Sequence, residues 1–257
     1  MNDDQQMNSA INVDSLTVAY GSKVVLDKVS WIVNQCTLAA VIGPNGGGKS
    51  TLLKTLLGMV HPNRGEVTLF GKSPIWARRK IAYLPQAEEV DWLFPITSLE
   101  VVLQGRLVHL KWFQKTSKDD GLFARSCLEQ VGMSHVANQP VGELSGGQRQ
   151  RVFIARALAQ QARLIVMDEP ATGLDAAAQH DLLDLFWSLK SQGHTIVITT
   201  HDLNCLAEHF DSVLGLNGHV VVSGVPSKVL DADILTKLFA RHFPIMKPTG
   251  EVSFHDR

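Results

Sequence analysis

A glycine-rich segment between a predicted strand and a predicted helix constrains this sequence more than any other feature. Its residues are Gly43, Pro44, Asn45, Gly46, Gly47, Gly48, Lys49, Ser50 and Thr51. The run LAAVI precedes it and STLLKTLLGM follows, so the pattern G-x-x-x-x-G-K-[ST] occurs in the strand–loop–helix setting that it requires. Glycines allow successive N–H groups to point at a phosphate. Lys49 adds a full positive charge for the terminal phosphates, and the Ser50 hydroxyl can bind Mg²⁺. We therefore predict that this segment, the phosphate loop, holds a nucleotide.

Short β-branched runs alternate with helical stretches along most of the chain. The predicted strands are VVLDKVSWIV, TLAAVIG, KIAYLP, RLIVMDEP, HTIVITTH and VVVSG, and the predicted helices are KSTLLKTLLGM, QRVFIARALAQQ and AQHDLLDLFWSLKSQ. Several strands are apolar at consecutive positions, which is expected when both faces of a sheet are covered. The alternation predicts an α/β fold with a mostly parallel central sheet.

One stretch in the middle of the chain lacks a strong strand pattern and predicts a helical insertion in the α/β body. We expect a single domain over residues 11–240, with a core of about 11–87 and 155–240 and a helical subdomain of about 88–154. The tail, residues 241–257, has two prolines and little periodicity. This composition predicts an extension of the fold or a partly disordered end.

Charge and composition exclude several classes of function. The formal net charge of -1 argues against broad electrostatic binding to nucleic acid. No apolar run is long enough to cross a bilayer, and the acidic, polar start does not match a secretory signal, so we expect a cytoplasmic chain. Cys36, Cys127 and Cys205 lie far apart without a CxxC spacing, which argues against a disulfide framework and a zinc finger.

Two carboxylates follow the apolar run LIVM, at Asp168 and Glu169, and Pro170 comes next. Ligands of open α/β sheets bind beyond the carboxyl ends of the strands. Asp168 is therefore placed to hold Mg²⁺ through water, and Glu169 to polarise the attacking water as a general base. The motif is weak alone, but beside a phosphate loop it predicts hydrolysis of the nucleotide.

A second glycine-containing helix start lies at Leu144, Ser145, Gly146, Gly147 and Gln148, here called the LSGGQ segment. Ser145 is a plausible N-cap of the helix that follows, and the two glycines keep the helix end open to a ligand. The chain therefore has two predicted anion-binding helix ends.

The phosphate loop, LSGGQ and LIVMDEP follow one another in the order and approximate spacing of the ABC ATPase family, which this chain resembles from about Ile11 to about Ala240. The resemblance implies a P-loop NTPase fold of the ABC type. Such a fold has a RecA-like, mostly parallel sheet core, a small antiparallel β part and a helical insertion. It also implies ATP and Mg²⁺ as cofactors, with Lys49 among the catalytic groups.

The resemblance assigns four further residues. Tyr20 matches the aromatic residue that stacks on adenine. Gln86, at the end of IAYLPQ, matches the glutamine that reaches Mg²⁺ and the attacking water. His201 matches the switch histidine that contacts the γ-phosphate. Asp175 lies in TGLD, residues 172–175, which resembles the loop that crosses to a partner subunit, although the family more often has Ser or Ala before Leu-Asp.

In this family one nucleotide is held between the phosphate loop of one subunit and LSGGQ of another. This chain has one of each, so the resemblance implies a head-to-tail pair, and we expect a homodimer with two ATP sites. Closure of the pair buries the phosphates between two helix N-termini, where positive dipoles count for more than in water.

The segment Val90–Arg106, VDWLFPITSLEVVLQGR, bears on what is transported. It is similar to the VDWxFPxTxxDVVxxGR stretch of importers for manganese, zinc or iron, with Glu100 in place of Asp, and GPNGGGKST recurs in that group. The membrane subunit docks near this segment in the family, and exposed Trp92, Phe94 and Pro95 would form a groove for one of its helices. The alternative is that these side chains only pack the insertion.

The resemblance thus implies an ATP-hydrolysing subunit of a metal importer, bound to integral-membrane permease subunits at the cytoplasmic face of the inner membrane. A separate solute-binding protein and the permease would select the metal. One alternative is an importer for iron-siderophore or another small solute. A soluble, non-transport ABC ATPase is a second, and a non-enzymatic module is a third, against which Lys49, Glu169 and His201 argue.

Overall fold

The computed structural model describes residues 8–86, 90–92, 94–111, 113–203 and 209–239. The predictions made for Cys205 and for the tail lie outside the described residues, and so does Leu93 of the segment Val90–Arg106.

A small antiparallel sheet covers one side of the molecule. It consists of β1 (Ser9–Tyr20), β2 (Lys23–Asn34) and β4 (Arg64–Leu69), in the order β2-β1-β4. Tyr20 pairs with Lys23 at the end of the β1–β2 hairpin, where Gly21 has a φ of +62°. The predicted antiparallel part is therefore present.

The central sheet has the order β5-β6-β7-β3-β8-β9. Its strands are β3 (Leu38–Ile42), β5 (Ile81–Leu84), β6 (Leu164–Met167), β7 (Thr195–Thr200), β8 (Ser212–Leu216) and β9 (Val220–Gly224). All neighbours are parallel except β9, which is antiparallel to β8. This arrangement confirms the mostly parallel sheet, and β3 lies between β7 and β8, so the phosphate loop leaves the sheet from its interior.

Eight α-helices lie in the described residues. They are α1 (Lys49–Leu56), α2 (Pro74–Ala77), α3 (Ser98–Gln104), α4 (Lys118–Gln130), α5 (Gly146–Ala159), α6 (Ala176–Ser191), α7 (Pro226–Val229) and α8 (Ala232–Phe239). The helices α3, α4 and α5 pack on one another, and α5 runs across the position near residue 154 where we placed a subdomain boundary. No helix within the described ranges has the length and apolar character of a membrane span.

The central sheet is buried on both faces, which explains its continuous apolar strands. In β3, Ala39 and Val41 face a core shared with the antiparallel sheet and α1. Leu38, Ala40 and Ile42 face a second core with α5 and α6. The six predicted strands are all present, whereas β1, β4 and β8 were not predicted. Polar residues and bulges interrupt the pattern of β1, β4 starts with three exposed residues, and a glycine interrupts β8.

Candidate active site

A Cβ would come within 3.0 Å of a neighbouring atom at three glycines of the phosphate loop, Gly43, Gly47 and Gly48. A Cβ at Gly43, where φ is +153°, would lie 2.0 Å from the Leu216 carbonyl oxygen, and a Cβ at Gly48, where φ is +94°, would lie 2.5 Å from Leu26 Cδ2. The Gly47 N–H donates to the Pro44 carbonyl at 3.0 Å. The loop is therefore a tight turn that packs against the strands around it.

Helix α1 begins directly after this turn. Its N-cap, Gly48, is in the left-handed conformation and provides no side-chain acceptor. The first N–H groups of a helix have no partner within the helix, and the helix dipole gives them a partial positive charge. The start of α1 can therefore bind an anion.

Lys49 is the first residue of α1 and is 6% exposed. Its ammonium group donates to the carbonyl oxygens of Gly43 at 3.0 Å and Pro44 at 3.2 Å. Burial lowers the pKa of Lys49 below its ordinary value, while the nearby carboxylates of Glu169 and Asp168 act in the opposite direction. The lysine is thus held inside the loop with its charge next to two acidic groups.

Asp168 and Glu169 follow β6 at the carboxyl edge of the sheet. Asp168 is buried, and its Oδ1 accepts a hydrogen bond of 2.5 Å from the Thr199 hydroxyl at the end of β7. The Glu169 N–H donates to the same hydroxyl at 2.8 Å. Sequence reasoning missed Thr199, and the available signal was a hydroxyl two residues before His201 on a strand next to the acidic one.

The Glu169 side chain lies between two polar residues. Its Oε2 is 3.4 Å from His201 Nδ1 and accepts a hydrogen bond of 3.2 Å from the Thr172 hydroxyl. The Glu169 side chain is 18% exposed and that of His201 is 62% exposed. A carboxylate held in this way, and still open to solvent, can accept a proton from water.

These groups meet at an open cleft of about 560 Å³. It is lined by Lys23, Val25, Asn45, Gly46, Gly48, Lys49, Ser50, Thr51, Gln86 and Glu169. The fold therefore brings the predicted glutamine and the predicted general base to the phosphate loop, although they are far apart in sequence. The volume falls in the range of small-molecule and cofactor sites.

The donor set near the cleft suits a hard cation. The Ser50 hydroxyl, the Gln86 amide and the Asp168 carboxylate are oxygen donors, which Mg²⁺ prefers. Across the described parts of the chain, no three His, Cys, Asp or Glu residues are grouped to hold a metal ion. This arrangement fits Mg²⁺, which commonly binds to one or two carboxylates together with substrate phosphates.

The LSGGQ segment lies near the cleft but outside the phosphate loop, since Gly146 lines a cavity together with Gln86 and Glu169. Ser145, Gly147 and Gln148 line a separate cavity, which shares no residue with the cleft at the phosphate loop. Ser145 caps α5 through a capping box, in which its hydroxyl accepts the Gln148 N–H at 3.3 Å and its own N–H donates to Gln148 Oε1 at 3.0 Å. Within one chain, the structure does not bring this helix end to the phosphate loop.

Two other predicted site residues lie beside these cavities. Tyr20 is 53% exposed and pairs with Lys23, which lines the cleft. Asp175 is the N-cap of α6, and its carboxylate accepts the Ala178 N–H at 2.8 Å.

The segment Val90–Arg106 only partly matches the expectation of an exposed groove. Trp92 is half-buried, because its ring packs edge-on against Phe153 with centroids 5.4 Å apart and lies 4.7 Å from the Arg149 guanidinium. The prediction that Trp92 is exposed was therefore wrong. Phe94, which is 61% exposed, and Pro95 do face solvent.

Other parts of the same segment shape the helices. Glu100 closes a capping box with Thr97 at the start of α3, and this contact lowers the pKa of the Glu100 carboxyl. A Cβ at Gly105 would lie 2.2 Å from the Arg156 carbonyl oxygen of α5. Arg106 donates to Asp120 Oδ1 at 2.9 Å and to the Ala159 carbonyl at 2.9 Å.

A phosphate loop, an acidic strand end and a capped LSGGQ helix on one mostly parallel sheet define a nucleotide-hydrolysing subunit of the P-loop class. The chain belongs to the ABC transporter family, whose profile matches residues 26–172. It is an ATP-binding subunit and an ATPase coupled to transport.

Several known proteins are similar to it over most of their length. The zinc transport system ATP-binding protein TroB of Treponema pallidum is 46% identical over 215 residues, which cover 84% of this chain and 81% of that protein. The manganese transport system ATP-binding protein MntB of Bacillus subtilis is 39% identical over 237 residues, covering 92% and 95%.

Solved structures of ABC transporter proteins have the same fold as this chain. A chain of an inward-facing transporter assigned to the metal-chelate type of ABC transporter has a TM-score of 0.83 at 34% identity, with 91% of this chain and 90% of that chain covered. An ATP-binding cassette of an ABC transporter in its ADP conformation has a TM-score of 0.79 at 29% identity, with 90% and 98% covered.

Proposed function

We propose that this chain energises the import of a metal ion, manganese, zinc or iron, by hydrolysing ATP. The observation that carries this proposal is the similarity, over more than four fifths of the chain, to ATP-binding proteins of zinc and manganese transport systems. The segment Val90–Arg106 supports it from the sequence alone.

The residues at the cleft would divide the chemistry between them. The N–H groups of the phosphate loop and the start of α1 bind the phosphates, and Lys49 exchanges its two loop carbonyls for phosphate oxygens. Glu169 accepts a proton from the attacking water, which displaces ADP from the γ-phosphorus and yields phosphate. His201, which lies 3.4 Å from Glu169, would contact the γ-phosphate.

Mg²⁺ would be held by Ser50, Gln86 and Asp168, and its chemistry is to neutralise charge on the phosphate oxygens. Asp168 is held by a hydrogen bond from Thr199, so its carboxylate has one orientation. Tyr20, beside the cleft, would stack on the adenine ring.

The second helix end needs a second subunit. Because the cavities lined by the LSGGQ segment include no residue of the phosphate loop, Ser145, Gly146, Gly147 and Gln148 would close on the nucleotide of a partner copy. Asp175, at the start of α6, would lie at the crossing between the two copies. We propose a head-to-tail homodimer with two ATP sites.

The Glu169→Gln variant tests this assembly. Without the general base, ATP and Mg²⁺ persist in the site, so the variant is expected to form a stable dimer by analytical ultracentrifugation. Lys49→Ala with Glu169→Gln is the matched control, since it lacks the phosphate contact and is expected to remain monomeric. A Glu169→Gln chain that stays monomeric at high concentration and within the assembled transporter would contradict the homodimer.

Exposed Phe94 and Pro95 support a contact with the permease at the cytoplasmic face of the inner membrane. A separate solute-binding protein would deliver the metal to that permease. A Phe94→Ala variant is expected to keep its fold, since the ring is 61% exposed, and to lose co-purification with membranes. Leu122→Ala, an equally exposed site on α4 at 66%, is the control, and equal loss in both variants would contradict docking at Phe94.

Metal uptake tests the cargo. A strain that lacks this chain is expected to lose uptake of one radiolabelled ion among manganese, zinc and iron, and to recover it with the intact chain but not with Lys49→Ala. Unchanged uptake of all three ions, with loss of another solute, would overturn the assignment.

An importer of chelated iron is the second candidate, because the structure with a TM-score of 0.83 is of the metal-chelate type. The same uptake experiment with free and siderophore-bound iron separates the two. Loss confined to the chelate would favour this second candidate.

A further inference from the structure

Thr199 lies at the point where backbone pairing between β6 and β7 stops. The last pair of these strands is Met167 with Ile198. One position further on, the Thr199 hydroxyl donates to Asp168 Oδ1 at 2.5 Å and accepts the Glu169 N–H at 2.8 Å. A single hydroxyl therefore joins two adjacent acidic residues to the neighbouring strand.

Both acidic residues need such support. Glu169 has a φ of +50°, a left-handed conformation that non-glycine residues rarely adopt unless the surroundings hold them there. Asp168 is 4% exposed, so water is a poor substitute partner for its buried Oδ1. Thr199 itself is 0% exposed, and its hydroxyl makes both contacts in place of water.

We propose that Thr199 is a positioning residue for ATP hydrolysis. It fixes the carboxylate of Asp168 for Mg²⁺ and the backbone of Glu169 for the attacking water, and it acts through these two residues. The proposal rests on the roles proposed above for Asp168 and Glu169.

The test compares three variants of the full chain. Thr199→Val keeps the shape and removes both hydrogen bonds, whereas Thr199→Ser keeps the hydroxyl. Thr195→Val is the matched control, because Thr195 is equally buried at the start of β7 and its hydroxyl accepts the Cys36 N–H at 3.0 Å, away from the cleft. The readouts are the ATPase rate against Mg²⁺ concentration and the rise in melting temperature that ATP gives with and without Mg²⁺.

Thr199→Val is expected to lower kcat about tenfold, because a hydrogen bond to a charged group contributes enough free energy for such a change. The half-saturating Mg²⁺ concentration is expected to rise by a similar factor. The ATP-induced rise in melting temperature without Mg²⁺ is expected to stay unchanged, because the phosphate loop is intact. Thr199→Ser is expected to restore both kinetic values, and Thr195→Val to keep them at a lower melting temperature.

Three results would overturn the proposal: wild-type kinetics in Thr199→Val, no rescue by Thr199→Ser, or the same Mg²⁺ dependence in Thr195→Val. If Thr199→Val does not fold, the same measurements on Thr199→Ala decide. Glu169→Gln in the same assays separates the two proposals. Full hydrolysis by that variant would refute the role of Glu169. The Mg²⁺ dependence of the ATP-induced rise in melting temperature would still test whether Thr199 positions Asp168.

Discussion

Two helices of this protein begin at glycine-rich segments, and their starts are capped differently. Helix α1 starts after left-handed Gly48, with no side chain capping its N–H groups. Helix α5 starts after Ser145, and Ser145 and Gln148 satisfy each other's backbone N–H groups. The start of α1 is uncapped and open, whereas the start of α5 is capped, with the N–H groups of Gly146 and Gly147 outside the capping box.

Glycine-rich sequences can therefore form two kinds of anion site at the start of a helix. At α1 the surrounding backbone fixes the loop, so the N–H groups are arranged before a ligand arrives. At α5 the capping box engages the Gln148 N–H, so a phosphate would meet the N–H groups of Gly146 and Gly147 and the proton of the Ser145 hydroxyl, which itself accepts a hydrogen bond. We infer that the first end binds ATP on its own and that the second contributes only when another subunit presents the nucleotide.

The largest expected effect comes from removing the charge at the open end. Lys49→Ala is expected to lower the ATPase rate about 100- to 1000-fold, as loss of a preorganised electrostatic contact does in other enzymes. The melting temperature should hardly fall, because burial already disfavours the charged lysine. The measurement is phosphate release at saturating Mg²⁺ and ATP, and a rate within threefold of wild type would contradict the role of Lys49 at the start of α1.

The next effect distinguishes shape from composition within the phosphate loop. Gly43→Ala is expected to destabilise the chain and abolish ATP binding, because the added methyl would meet the Leu216 carbonyl at 2.0 Å. Gly46→Ala meets no atom within 4 Å and should cost only about 1 kcal/mol for its positive φ. Titration calorimetry measures ATP binding by each variant, and chemical unfolding measures the stability of each. Equal effects of the two variants would contradict the close packing proposed at Gly43.

Two variants that both lack the Ser145 hydroxyl test the role of the capped start of α5. Ser145→Ala is expected to cost about 1 kcal/mol of unfolding free energy and Ser145→Gly only a few tenths, since glycine is itself a tolerated N-cap. Both should weaken ATP-dependent pairing of two chains by the same factor if the hydroxyl binds phosphate. A loss of pairing that follows stability instead would show that Ser145 acts only as a cap.

The smallest effect concerns α4, whose capping box uses a carboxylate where α5 uses an amide. The Ser117 N–H, together with Arg106, lowers the pKa of Asp120 from its ordinary value of 3.8 to about 2. A lowered carboxyl pKa stabilises the fold above the ordinary value, and that stability is lost as the pH falls from about 4 through about 2. The difference in unfolding free energy between wild type and Asp120→Asn should therefore shrink over this range, and a constant difference would contradict it.

Sequence reasoning recovered the parts of this protein that depend on local patterns. The apolar runs predicted β3, β5, β6 and β7 because both faces of these strands are covered and almost all of their residues are buried, and the phosphate loop followed from Lys49 and its glycines. Thr199 was missed because its partners, Asp168 and Glu169, lie on another strand, and no local spacing reveals a neighbour in a sheet. Trp92 was predicted to be exposed because residue type alone does not show whether an aromatic side chain packs on α5 or faces a partner.

Gly218 gives the phosphate loop an order of assembly as well as a shape. Its N–H donates to the Gly47 carbonyl at 2.9 Å, and its carbonyl accepts the Asp27 N–H at 2.7 Å. The chain is synthesised from its N-terminus, so the whole nucleotide motif emerges from the ribosome long before the β8–β9 turn that holds it. A nascent chain that has passed Thr51 therefore has every residue of the motif, but the two hydrogen bonds of Gly218 can form only after the β8–β9 turn has been made.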